Sequence, residues 1–221
     1  MDTDRMSAMI IGVLFIVATV SAFGAVLYDP ILKNPHYLVK GPTRRNQITL
    51  GALFELIAAA AVVGTSVAFF PFLKMGNESI ALGYVGFRLF EAVIIVIGLI
   101  SLLSLLTLRQ EFASGATLDA SSLQTVGKSL LAIRAWTSVL GPNFMLGINT
   151  LMFSFLLYQT RLVPGPIAVM GLIGATLIFI AALLEMFGVI LPISLWKVVL
   201  ALPVASYEMI LAVYLIVKGF N

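Results

Sequence analysis

The residues best placed to do chemistry are charged side chains standing inside long apolar runs. Arg88 and Glu91 are three positions apart, so on a helix they share a face and can pair, which lowers the cost of burying either. Tyr84 lies one turn earlier. Counting along helices of alternating direction brings Asn149 and Glu208 to a similar depth, with Tyr158 in the same run as Asn149. Arg88 facing both Glu91 and Glu208 leaves one carboxylate in excess at neutral pH unless a proton, a cation or a basic ligand joins them. That is binding or transport chemistry, and the expected ligand-binding set is Arg88, Glu91, Glu208, Tyr84, Asn149 and Tyr158. A structural ion pair that locks helix register accounts for Arg88 and Glu91 equally well.

A second polar set, Glu55, Glu185, Lys197 and Asn143, falls toward the opposite ends of the same runs. Groups that near a helix end can snorkel to the headgroups, so a structural role is expected for the charged three. Asn143 follows Pro142, where a break in the helix would free carbonyls for it to serve. No residue is assigned a catalytic role: there is no phosphate-binding glycine loop and no nucleophile elbow, and the serines lack a recognisable base. An intramembrane enzyme acting on a lipid-soluble substrate, with Glu91 or Glu208 as general acid or base, is a third reading after binding and accessory-subunit roles. The chain has no cysteine and one histidine, His36, which excludes disulfides, thiolate metal sites and iron–sulfur clusters and disfavours a multi-histidine metal or haem site. No cofactor or metal is expected.

The elements that must position these groups follow from composition. Of 221 residues, 61% are hydrophobic and 10% charged, against about 25% charged in soluble domains, and the mean hydropathy is +1.10. A water-soluble fold could not hide that much apolar surface, whereas lipid solvates it and leaves the backbone to be satisfied inside helices. The runs reach the roughly 20 residues needed to cross a bilayer core and lack the alternation of barrel strands. The expected fold is all-α: a single-domain polytopic transmembrane bundle of about six helices, near residues 7–28, 49–72, 82–107, 136–158, 166–188 and 195–217. Residues 1–27 resemble a signal peptide in ending on small residues, but only Arg5 precedes the run and the run is long, so a retained first helix is expected.

Two connections carry character. Asp29 to Thr49 mixes Pro30, Pro35 and Pro42 with Lys33, Lys40, Arg44 and Arg45, which suits a headgroup-level loop. Beyond Gly115, Leu123, Val126, Leu130 and Ile133 recur at helical spacing with Gln124 and Lys128 on another face. That pattern predicts one amphipathic interfacial helix near 119–134, with Asp119 as its N-cap. Lys33, Lys40, Arg44, Arg45, Arg109 and Lys128 on one side outnumber Arg5, Lys74, Arg161 and Lys218 on the other, so the positive-inside bias, read literally, puts both termini outside. Gly171, Gly174 and Ala175 form a small-residue patch suited to close helix packing, and Trp136 and Trp196 read as interfacial anchors at helix ends. The net charge of +3 includes no dense basic cluster, so the expected partners are membrane lipids and other membrane-protein subunits or a second copy of the chain, and no nucleic acid.

Ala81-Leu82-Gly83-Tyr84-Val85-Gly86-Phe87-Arg88-Leu89-Phe90-Glu91, Gly51-Ala52-Leu53-Phe54-Glu55-Leu56, Tyr158 with Arg161-Leu162-Val163-Pro164, and Leu215-Ile216-Val217-Lys218-Gly219-Phe220 resemble the bacterial membrane family catalogued as domain of unknown function 4386. The resemblance runs from about residue 8 to the end, and the Tyr84, Arg88, Glu91 pattern is its most specific piece. It implies a bacterial integral membrane protein and supplies no mechanism.

Overall fold

The computed structural model describes residues 3–32, 44–114, 120–192 and 194–221, and among these there is no strand. In chain order the helices are α1 (Thr3–Ala22), continued by a 3-10 turn (Phe23–Leu27), α2 (Asp29–Leu32), α3 (Arg45–Leu73), α4 (Glu78–Ala113), α5 (Ala120–Val139), a π-helical turn (Leu140–Met145), α6 (Leu146–Thr160), α7 (Gly165–Met186) and α8 (Leu195–Val217). Local chemistry sets several of these limits. Asn77 accepts the Ile80 N–H at 3.0 Å and starts α4, Ser194 accepts the Lys197 N–H at 3.2 Å and starts α8, and each thereby satisfies one of the orphan donors of a first turn. Arg161, left-handed at φ 56°, ends α6.

Among the described residues, six helices are long and apolar enough to cross a membrane. They pack as a ring in sequence order, α1 on α3, α3 on α4, α4 on α6, α6 on α7, α7 on α8, and α8 back on α1. Arg5 fastens the closing pair by donating to the Ile216 and Val217 carbonyls at 3.0 and 2.7 Å. The interior at the end near the termini is aromatic, with Phe69 and Phe153 4.8 Å apart edge-on and Tyr84 stacked on Phe153 at 5.0 Å. At the other end it is aliphatic, built on Ile48, Leu99, Leu102, Leu105 and Leu123.

The expected interfacial helix is not a separate element. Residues 121–160 form one 40-residue helix, and the stretch over 120–139 is its first half, laid along α4. Its stripe found a partner helix in place of headgroups: Leu123 is buried and Ser101 on α4 donates to the Leu130 carbonyl at 2.6 Å. Trp136 therefore lies within a rod and not at a helix end; it and Trp196 are 50% and 69% exposed. The anticipated break at Pro142 is a π turn that does not interrupt the rod. Gly171 and Gly174 do meet a neighbour closely: a Cβ on Gly171 would strike Ser154 and Tyr207, and one on Gly174 would lie 2.8 Å from the Val204 nitrogen. Lys33, Pro35, His36, Lys40, Pro42, Gly115 and Asp119 lie outside the described residues.

Candidate functional site

Arg88 sits on the inward face of α4, 2% exposed. One guanidinium nitrogen, Nη1, is 3.2 Å from Glu91 Oε2 and the other, Nη2, is 3.6 Å from Glu208 Oε1. Since α4 and α8 are not neighbours in the ring, the second contact spans the interior. Asn149 on α6 donates to Glu91 Oε2 at 2.6 Å, and Thr19 on α1 donates to Glu208 Oε2 at 3.3 Å. The two carboxylates are thus unequal. Glu91, 3% exposed, is held by a charged and a neutral donor, whereas Glu208, 14% exposed, has one long hydroxyl bond and a loose charge contact.

These groups border a cavity of ≈ 160 Å³ whose walls include Phe15, Thr19, Thr65, Arg88, Glu91 and Glu208. Tyr84 lies beneath Arg88, its ring centroid 5.8 Å from the guanidinium carbon. The Tyr84 hydroxyl and Arg88 Nε are buried without a hydrogen bond. Buried polar atoms are nearly always satisfied, so the unpaired Nε of Arg88, a residue of the cavity wall, marks a place for a small polar occupant. The volume holds a few waters or an ion and falls short of the about 300 Å³ at which pockets begin to enclose larger ligands.

A second charged cluster lies farther along the bundle. Arg134 on α5 donates to both oxygens of Glu55 on α3, at 2.6 and 2.8 Å. Between them sits the Tyr28 hydroxyl, which donates to Glu55 and accepts from Arg134. Arg134 also lies over the Tyr28 ring at 5.6 Å.

The family described as Domain of unknown function (DUF4386) matches residues 10–219, a stretch that contains every member of both clusters. The chain belongs to that family. Neither the curated proteins nor the solved structures gave a match.

In this DUF4386 member, then, the expected ligand set is brought together except for one residue. Tyr84, Arg88, Glu91, Asn149 and Glu208 converge, while Tyr158 is 56% exposed and lines a separate surface groove with Gln159 and Arg161. The second set divides. Lys197 is 2.8 Å from Glu185 in charge contact without hydrogen-bond geometry, and Glu55 takes Arg134 and Tyr28 instead. Asn143 is half-buried in the π turn and bonds to neither cluster. Sequence reasoning overlooked Thr19, Thr65, Tyr28 and Arg134. An arginine inside the apolar stretch Leu130–Val139 was the available signal for the last of these, masked because it stood at the expected start of a span.

Proposed function

We propose that this chain is a multipass protein of the bacterial cytoplasmic membrane that takes up and releases a proton at Glu208, from a small cavity inside the bundle whose largely apolar wall carries Arg88, Glu91 and Glu208. The observation carrying this reading is the charge imbalance at the cavity wall, one guanidinium within 3.6 Å of two carboxylates. Glu91 has the firmer pair of donors, which leaves Glu208 as the exchanging group. A proton neutralises the surplus without crowding Arg88, whereas a metal cation would stand within a few ångströms of its positive charge. The ≈ 160 Å³ of space has room for the few waters that would deliver it, at the end where Thr19, Thr65 and the charged groups supply polar partners.

Purified protein in vesicles carrying an internal pH-sensitive dye, driven by an imposed membrane potential, supplies the test. The expected result is a proton flux that Glu208→Gln lowers at least tenfold. Wild-type flux no greater than that of empty vesicles overturns the reading, and flux that tracks sodium and ignores pH assigns the site to a cation.

A second reading, an accessory subunit of a larger assembly, is favoured by the α4–α5 pair. Its outer surface bears a groove of ≈ 560 Å³ lined by Ile100, Leu103, Val126 and Leu130 together with Ser104, Thr107 and Glu111. The mass of the gently solubilised protein decides, since a monomer throughout removes it.

A further inference from the structure

The cavity beside Arg88 reaches toward the second cluster. Its walls run from Thr65 and Glu208 at one end to Ala22, Ala58 and Ile95 at the other. Ala58 is three residues from Glu55 on α3, and Ile95 is three residues from Gly98 on α4, about 4.5 Å of helix axis in each case. Gly98 is in turn packed on Arg134, since a Cβ there would lie 2.9 Å from Nη1. Ala22 leads directly into the 3-10 turn that delivers Tyr28. On α3, therefore, the far end of the cavity stops one turn short of the buried Glu55 carboxylate, and on α4 one turn short of the residue packed on Arg134.

We propose that Tyr28, Glu55 and Arg134 form a second proton-exchange site, in series with Glu208 and joined to it by the cavity. The proposal rests on the proton reading of Glu208. In the step it describes, the Glu208 carboxyl gives its proton to cavity water, a proton passes from that water to the Glu55 carboxylate, and Glu208 is left ionised against Arg88. Glu55 cannot accept while Arg134 covers both its oxygens, because charge-assisted bonds of this kind favour the ionised form. Arg134 must first withdraw, with the Tyr28 hydroxyl left to hold the neutral acid. Asp29 is the other acidic group facing Glu55, and Thr19, Arg88, Glu91, Tyr84 and Tyr207 surround Glu208.

The means of withdrawal is built into the same rod. Arg134 and Asn149 stand on either side of the π turn Leu140–Met145, and Pro142 within that turn lines the cavity. Proline contributes no N–H to the ladder, and π turns are points where a helix can change its winding. A change there moves Arg134 relative to Asn149, so release of Glu55 is tied to the Glu91 end of the cavity.

The same vesicle assay tests this. Glu55→Gln should lower flux per folded protein at least tenfold, and Glu55→Asp should restore at least half of it, because a relay needs a titratable oxygen; a mere lock on Arg134 would show its loss in the melting temperature and leave the flux per folded protein at the wild-type level. If Glu55→Gln does not fold, Tyr28→Phe takes its place, with the same loss expected. The chain lacks cysteine, so silver ion should block the flux retained by Ala58→Cys and spare Ile57→Cys on the outward face. Wild-type flux in Glu55→Gln, or in Tyr28→Phe where that stands in, overturns the proposal while leaving Glu208 in place, as does silver-insensitive Ala58→Cys. Absence of flux in the wild type removes both.

Discussion

At the scale of single residues, Arg88 balances two acids from the middle of the bundle. Removing it strands Glu91 and Glu208, and taking one partner from a buried pair costs about 3–5 kcal/mol. Arg88→Ala should therefore melt well below the wild type in detergent, and adding Glu208→Gln should recover part of the loss. A double variant no better than the single would mean the 3.6 Å contact is not felt. The Arg88, Glu91 and Glu208 set was legible because spacing along one helix and depth along one other suffice to bring them together. Tyr158 shows where depth fails. It is nine residues from Asn149, which at about 3.6 residues per turn puts it on the opposite side of α6. Tyr28 and Arg134 were illegible for a different reason: they meet across 106 residues, and neither looks unusual until its partners are known.

At the scale of elements, packing of α7 on α8 relies on absent side chains. Gly171→Leu must displace Ser154 and Tyr207, whose hydroxyls are 3.1 Å apart, and overpacking of this sort costs about 1–3 kcal/mol. Gly86→Ala has nothing within 4 Å to meet and should be neutral or raise the melting temperature, since alanine exceeds glycine in helix propensity by about 1 kcal/mol. Equal melting of the two variants would remove the distinction. The α4–α5 arm carries another expectation. With 36 residues, α4 is about 54 Å long, and fitting it within a core of about 30 Å would take a tilt near 56°, beyond the roughly 40° that spanning helices reach. The arm must then project from the bilayer. Gln124→Cys should react with a membrane-impermeant maleimide and Ile173→Cys should not; protection of Gln124→Cys from both sides would place the arm in lipid. The arm was misread because the polar face of residues 120–135 imitates an interfacial helix that ends where the next span begins, whereas α4 supplies the apolar partner and the rod runs on unbroken.

At the scale of the whole molecule, hydropathy alone revealed six spans, because each apolar run has to find lipid or another helix. The order around the ring was not written there, although short connections make sequence neighbours the natural packing partners. Every contact of that ring except one joins consecutive spans. The exception is α1 with α8, where a Cβ on Gly12 would come within 2.7 Å of the Ala212 carbonyl and Arg5 grips the last turn. During synthesis, hairpins can leave the translocon and associate in turn, but this seam stays open until the final helix has emerged. Until then the first helix keeps a vacant flank, and Glu208, which brings the excess charge, has yet to enter. Arg5→Ala should slow completion of this last step, seen as prolonged protease sensitivity in a pulse-chase, while the earlier helices insert at their usual rate. The bundle thus acquires its internal charge and its closed circumference in a single late event of biogenesis.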